Sequence, residues 1–523
     1  MQEALPTPQP PASSRKVLRR VDLLLLPLLT ACFGLQFYDK AALGSAAIFG
    51  ILDDLNLVVL EPNPNGGAPI RNLSRYSNAT AAFYYGYVAA VVPAALLAQR
   101  FKVNYFLGAC ITLWGIITLL TPAVSNWQGL IVQRVFLGII ESTVSPGFLL
   151  VTRRWYTKAE MPMRVGIWYS ATGLFSILSG LVAYGLGTRQ HDIATWKTLF
   201  LVPGALTVFF GICVLLVLPP SPEEDPVLRI PGYNVFDEED RDVILAKTRS
   251  EMLGRERSRW SWRQVLEALL DVKVWIYFFM AISIYVCNGG VTVFGSILLR
   301  SIGYTPSRAI LLQTPGGATT VVSILIVCLL SARFPNTRLI LLAMSCIPVI
   351  IGAAMIWSPA TNWQTSKGVP LAGYYLLPIF GAPYVMLLAS LAANVGGSTK
   401  ASFASGAVFV GYNVGNIAAS YILVASEAAQ HYPTTWKVII AMMVITMGLA
   451  AILAAIFVFE NRARDKRASG AAVAVESGGR EERQSDQDDG HDEVKSNQML
   501  EEATEIEAQD LTDKQNEKYR YVL

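Results

Sequence analysis

Long apolar runs separated by short polar stretches dominate this chain. A helix needs about 20 mostly apolar residues to cross a hydrocarbon core about 30 Å thick. Twelve stretches meet that ruler: 21–42, 80–98, 104–122, 128–151, 165–187 and 197–218, then 273–295, 308–332, 337–358, 370–395, 402–424 and 436–459. Two longer polar pieces interrupt the rhythm. Residues 219–272 are charged and contain Pro, and they close on "WSWRQVLEALLDVKVW", which predicts a short amphipathic helix at a membrane surface. Residues 460–523 are rich in Glu, Asp, Gln and Ser, a composition that predicts a disordered tail.

Composition sharpens this picture. Of 523 residues, 53% are hydrophobic and only 15% charged, against about 25% charged in soluble domains. The predicted fold class is an all-α membrane protein with the lipid bilayer as its surroundings. The net charge of +3 is not gathered into a basic stripe, so no nucleic-acid partner is expected. The six cysteines sit inside apolar spans without CxxC spacing, and they read as small buried hydrophobes rather than disulfide or metal ligands. After "RKVLRR" the apolar run is too long for the core of a signal peptide, so it reads as a first span with a basic flank.

Lys and Arg placement orients the spans. Arg15, Lys16, Arg19 and Arg20, then Arg100 and Lys102, then Arg153, Arg154, Lys158 and Arg164 fall on one side. Arg333, Arg338, Lys400, Arg462, Arg464, Lys466 and Arg467 continue there. Both termini are therefore expected in the cytoplasm, with 1–20 as a cytoplasmic N-terminal segment and 219–272 as a cytoplasmic loop. The sequons at Asn72 and Asn78 fall in the first outside loop, where glycosylation is possible.

The two halves, 21–218 and 273–459, resemble each other. "LLAQRFKVN" at 96–104 parallels "LLSARFPNT" at 329–337, and Thr157-Lys158-Ala159 with Gly173 parallels Thr399-Lys400-Ala401 with Gly415. Both matches fall at equivalent places within a six-span unit. A parallel repeat of this kind predicts a rocking secondary transporter with its substrate site between the halves.

Charge inside the spans is rare and expensive, about 2.5–3.5 kcal/mol per residue near the bilayer centre. Span one holds Asp39 and Lys40, and span four holds Arg134 and Glu141. Seven residues at 100° each come within about 20° of two turns, placing Arg134 and Glu141 on one helix face about 10 Å apart. Asp39 is expected at a depth from which it could reach Arg134. A structural ion-pair network, or snorkelling of Lys40 to the interface, is the alternative reading. Burial disfavours a charged carboxylate while a nearby Arg favours it, so the proton on Glu141 can be tied to substrate occupancy. Asn288, Tyr374, Tyr412 and Asn413 are further candidates for binding a solute. The Gly411-x-x-x-Gly415 spacing also suits close helix packing, and the prolines within spans suit kinks.

"YDKAALGSAAIFGILDDL", "RVFLGIIESTVSPGFLLVTRRWYTKAEMPMRVGIWYS", "NGGVTVFGSIL", "AGYYLL" and "GYNVGN" resemble the fungal allantoate-permease family, anion:cation symporters of the major facilitator superfamily. The resemblance covers roughly 20–460. It implies the major facilitator fold, with Asp39 and Glu141 in proton coupling and Lys40 and Arg134 engaging an anion. It implies proton-driven uptake of a small organic anion (a carboxylate, ureido acid or vitamin) with no cofactor beyond the proton gradient. The loop "LLAQRFKVN" lacks the Asp of the superfamily signature, and only Lys400 remains of the family's basic group near "GGSTKAS". Substrate and direction stay open. Export of an acidic secondary metabolite, or a non-transporting nutrient sensor, are the competing readings. No Walker loop and no His or metal cluster points to an enzyme or ATP-driven pump. A monomer in the plasma membrane is expected.

Overall fold

The computed structural model describes residues 12–62, 69–157, 160–189, 193–228, 236–245, 261–334, 336–357, 367–478, 511–516 and 519–523. Helices are labelled in chain order: α1 (Ala12–Ala46), α2 (Ser74–Arg100), α3 (Val103–Leu119), α4 (Trp127–Glu141), α5 (Val144–Trp155), α6 (Met161–Gly187) and α7 (Thr195–Val217). After the central loop come α8 (Trp262–Leu269), α9 (Val272–Val286), α10 (Gly295–Ser301), α11 (Pro306–Leu311), α12 (Thr314–Arg333) and α13 (Arg338–Trp357). The last are α14 (Gly368–Leu376), α15 (Gly381–Asn394), α16 (Ser398–Ala419) and α17 (Pro433–Gly478). Among the described residues, 10 helical stretches are long and apolar enough to cross a membrane. The helices α2 and α16, 27 and 22 residues long, have spanning length as well.

The helices pack in related pairs: α1 with α6, α2 with α4 and α3 with α7; then α9 with α16, α12 with α15 and α13 with α17. Two further pairs, α2 with α16 and α6 with α12, join the first set to the second. Lipid tails are as apolar as the spans, so close packing has to hold such helices together. Glycine makes it possible. A Cβ at Gly138 of α4 would lie 1.9 Å from the Phe83 carbonyl oxygen of α2. At the α6–α12 crossing, Gly173 and Gly317 each face the other's carbonyl, 2.5 Å from where a Cβ would sit. Gly411 and Gly415 face the carbonyls of Phe278 and Ile282 at 2.7 and 2.6 Å, so their spacing serves the α16–α9 contact.

Four of the expected spans are interrupted, three of them beside a proline of the kind expected to kink its span. Pro146 has no N–H for the Ser142 carbonyl, and the helix stops at Glu141 and restarts at Val144. Around Gly289-Gly290 the chain makes a π turn over Gly289–Val293 before α10. Pro315 starts α12 after a break at Leu312-Gln313, and Leu377–Phe380 is a 3-10 turn at Pro378. By contrast, Pro27 and Pro93 lie within continuous helices.

The repeat has a structural counterpart. The helix α2 ends at Arg100 with Phe101 extended, and α12 ends at Arg333 with Phe334 extended. The second match is one of position only, since Gly173 faces α12 across the two helix sets while Gly415 faces α9 within its own. Lys158 and Ala159 of that match lie outside the described residues.

One end of the bundle carries the start of α1, the described parts of the central loop, α8 and residues 511–516 and 519–523; we call it the terminal face. Arg164 grips Asp22 there through two nitrogens, at 3.2 and 2.9 Å. The helix α8 is amphipathic as expected: Gln264, Val265 and Ala268 are buried while Trp262, Leu266 and Leu269 are exposed. Parts of the tail that composition suggested as disordered are placed in the structure. The helix α17 continues to Gly478, and Thr512, Asp513 and Tyr521 are buried against the terminal face; residues 479–510 lie outside the described residues. At the opposite end, Val59–Glu61 and Ile70–Asn72 form a two-stranded antiparallel hairpin.

Candidate functional site

The four intramembrane charges lie on the inner sides of α1 and α4 and are almost entirely enclosed. Exposure is 1% for Asp39, 3% for Arg134 and 0% for Glu141. Consecutive residues on a helix point 100° apart, so Asp39 and Lys40 address different neighbours. Asp39 accepts a hydrogen bond from Trp114 Nε1 of α3 at 3.4 Å. Lys40 Nζ pairs with Glu141 Oε1 and lies 5.0 Å from the Phe83 ring and 5.3 Å from the Phe37 ring. Gln36 Nε2, one turn earlier, donates to the Glu141 carbonyl at 3.3 Å. Lys40 therefore does not snorkel; it ties α1 to α4.

The expected reach of Asp39 to Arg134 is not made: among the described residues no ion pair joins them. The Arg134 guanidinium instead lies 5.5 Å from the ring of Phe200 on α7, with Nε and Nη2 buried and without a hydrogen-bond partner. One carboxylate oxygen each of Asp39 and Glu141 (Oδ1 and Oε2) is likewise unmatched. Unfilled buried donors and acceptors are costly, about 1–3 kcal/mol each. The break after Glu141 puts this carboxylate at a helix end, where the chain departs from regular α geometry.

The remaining candidates sort by position. Asn288 is fully engaged: its Nδ2 donates to Asn416 Oδ1 and its Oδ1 accepts from Thr292 Oγ1, both at 2.6 Å. It binds α9 to α16. Tyr374 is buried behind the π turn, its hydroxyl 3.4 Å from the Val291 carbonyl. Asn413 donates to Phe409 O at 2.7 Å and keeps a buried unpartnered Oδ1. Tyr412 stacks edge-on with Tyr285, ring centroids 4.1 Å apart. Of the sequons, Asn72 ends a hairpin strand, and exposed Asn78 accepts from Tyr421 at 2.8 Å.

Tyr412 belongs to a tyrosine cluster at the core of this region, whose members Tyr169 and Tyr285 sequence reasoning missed. Tyr285 packs against Tyr384 and Tyr412, with centroids 4.7 and 4.1 Å apart. Tyr169 of α6 meets Tyr285 of α9 hydroxyl to hydroxyl at 2.7 Å. This hydrogen bond spans the two helix sets. Tyr87 adds a contact to Ser145 Oγ at 3.2 Å, beside Glu141. The available signal was "FYYGY" at 83–87, which places Phe83 and Tyr87 on one helix face with Gly86. Tyr169→Phe removes the bridge and nothing else. A neutral hydrogen bond nets about 1 kcal/mol, so the ratio of closed to open forms should fall about fivefold. Distances between spin labels on α6 and α9 would report it, and an unchanged distribution would deny the bridge any role in closure.

At the end remote from the terminal face the two helix sets also touch. Tyr76 Oη donates to the Val293 carbonyl at 3.0 Å, and Ser296 Oγ donates to the Gly44 carbonyl. The charges thus sit beneath a closed roof.

Comparison with known proteins fits this architecture. Residues 29–420 match the Major Facilitator Superfamily. Allantoate permease of Saccharomyces cerevisiae is 29% identical over 522 residues, covering 98% of this chain and 87% of the permease. The thiamine pathway transporter THI73 of the same yeast is 28% identical, covering 87% of this chain and 82% of that protein. Among solved structures, the proton:xylose symporter XylE bound to 6-bromo-6-deoxy-D-glucose superposes with a TM-score of 0.63. It is 14% identical and covers 83% of this chain and 95% of its own, a likeness of fold.

Proposed function

The chain belongs to the Major Facilitator Superfamily, and on that premise we propose that it is a proton-coupled symporter of a small organic anion, working by alternating access. The observation that carries this reading is the Lys40–Glu141 pair beside Arg134, whose Nε and Nη2 have no partner. A guanidinium with two open donors matches a carboxylate in two-pronged fashion. Glu141 is held by Lys40, a cation that a second anion could draw away. Anion entry draws Lys40 or Arg134 toward the substrate, and Glu141 and Asp39 take up the proton that keeps the buried site neutral. The relative named allantoate permease supports an anionic substrate of this size.

In this reading α2 and α16 complete a set of twelve spans in two halves, 21–218 and 273–459. The terminal face is cytoplasmic, the hairpin with Asn72 is outside and open to glycosylation, and the protein works as a monomer in the plasma membrane. The related packing of α1·α6, α2·α4 and α3·α7 with α9·α16, α12·α15 and α13·α17 supports the two-half division.

The deciding experiment is uptake of a panel of small organic anions by cells expressing the chain, at acidic and at neutral external pH, read by mass spectrometry. One anion accumulating more strongly from acid supports the reading. Its absence despite surface expression, together with loss of a preloaded anion, would replace symport by export. Within that assay, Arg134→Ala should lower apparent affinity about 10- to 100-fold, because hydrogen bonds to charged groups are worth about 1.5–3 kcal/mol. Normal exchange of labelled anion by that variant would make Arg134 structural.

A further inference from the structure

The end of the chain returns to the terminal face and lies in a groove formed by α8, α9, α15, α16 and α17. Asp513, fully buried, pairs through Oδ1 with Lys400 at 2.6 Å and through Oδ2 with Lys273 at 3.0 Å. Tyr521 donates to the same Oδ2 at 2.7 Å, and its ring stacks on Phe457 with centroids 4.9 Å apart. Two asparagines grip the backbone as a neighbouring strand would. Asn461 accepts from the Tyr521 N–H at 2.9 Å and donates to the Tyr521 carbonyl at 2.8 Å. Asn394 accepts from the Val522 N–H at 2.7 Å and donates to the Val522 carbonyl at 2.8 Å. The Leu523 carbonyl accepts from the Arg338 N–H at 3.0 Å.

These are the parts of a peptide-recognition site: amide clamps that hold an extended backbone, and pockets that read side chains. The clamps come from α15 and α17, which a self-contained helical hairpin would not need. Lys400, at the start of α16, is also held by Asp271 and Glu267 at 2.7 and 2.9 Å. The turn before it fits closely: a Cβ at Gly396 would lie 2.7 Å from the Asp513 nitrogen. Gln264 Oε1 of α8 accepts from the Thr399 and Lys400 N–H groups at 3.0 and 3.1 Å, while Thr512 donates to Glu267 Oε2 at 3.1 Å. The tail therefore touches both partners of the α8–α16 junction.

We propose that this groove is a peptide-binding site whose ligand is the chain's own residues 512–516 and 519–523, and that the bound segment is a detachable latch on the terminal face. With the latch engaged, α8 and the α15–α16 turn are pinned to α9 and α17. With it withdrawn, Lys273 keeps Glu460 but loses Asp513 and Tyr521, the two asparagines lose the backbone they clamp, and the turn is free to move against α2. Asp513 suits the role chemically. Burial alone would raise its affinity for a proton, but Lys273 and Lys400 hold it below the usual carboxylate range, so it enters the groove charged.

The test uses the full chain in lipid nanodiscs and needs no substrate, so its failure is separable from that of the transport reading. Hydrogen exchange read by mass spectrometry would compare the native chain with Asp513→Ala and, as a variant outside the charge cluster, Asn394→Leu. Both should exchange about tenfold faster over 519–523 and over the 395–401 turn. Cys328 of α12, whose sulfur lies 3.8 Å from where a Cβ would sit on Gly166 of α6, reports opening between the helix sets. Its modification by a maleimide should be several-fold faster in both variants. Unchanged exchange at 519–523 would show that these contacts do not hold the tail. Faster tail exchange with an unaltered turn and Cys328 would reduce the segment to a passive appendage. Either result overturns the latch.

Discussion

Glu141→Gln is expected to abolish acid-driven accumulation while leaving exchange of labelled anion across the membrane intact. Glutamine keeps the length of the side chain and a carbonyl acceptor for Lys40 Nζ, but it cannot gain or lose a proton. A carrier moving one proton per anion gains about 1.4 kcal/mol per pH unit, an accumulation ratio of about tenfold. In the variant that ratio should collapse to about one at every external pH. Preserved accumulation would remove Glu141 from the coupling. The same substitution tests what the pair does for stability. Breaking a buried pair by removing one partner costs about 3–5 kcal/mol, whereas replacing both is often neutral. Lys40→Met combined with Glu141→Gln should therefore recover the thermal stability that Glu141→Gln loses, without recovering coupling.

The second large effect concerns the backbone contact that brings α2 and α4 together. Gly138→Ala puts a methyl 1.9 Å from the Phe83 carbonyl oxygen, and that oxygen belongs to a helix backbone that cannot swing aside. Overpacking of this kind costs about 1–3 kcal/mol and occasionally more. We expect poor yield of folded protein and loss of transport together. Gly448→Ala is the matched control, because nothing lies within 4 Å of a Cβ there and alanine favours a helix by about 1 kcal/mol. Thermal unfolding in detergent should separate the two. Equal behaviour would mean that the α2–α4 contact is not tight in the working protein.

What the sequence made legible was governed by lipid. Apolar length shows directly in composition, because a buried backbone in hydrocarbon has to be helical, and the rarity of charge made Asp39, Lys40, Arg134 and Glu141 conspicuous. Their partners were not legible. A periodicity argument put Arg134 and Glu141 on one face, correctly, but could not tell which of two adjacent residues on α1 would meet that face. Lys40 does, and Asp39 turns to Trp114. Prolines marked the interruptions after Glu141 and at Pro378 as kinks, while the π turn at Gly289 escaped a hydropathy ruler that does not register backbone geometry. Tyr169 and Tyr285, 116 positions apart, gave no local signal at all. The tail misled for a related reason: its composition cannot build a core of its own, yet it needs none, because α9, α15, α16 and α17 supply the surface it lies on.

The balance of signs in the buried quartet has an electrical consequence. Asp39 and Glu141 offset Lys40 and Arg134, so the empty site carries no net formal charge. On the symport proposed above, with one proton per anion, a monovalent anion leaves that sum at zero. Neither the empty nor the loaded carrier then moves charge as it reorients, and a membrane potential, which does about 2.3 kcal/mol of work on one charge per 100 mV, would do none on this one. Uptake would follow the pH difference and ignore the voltage, so a cell could depolarise without losing its supply.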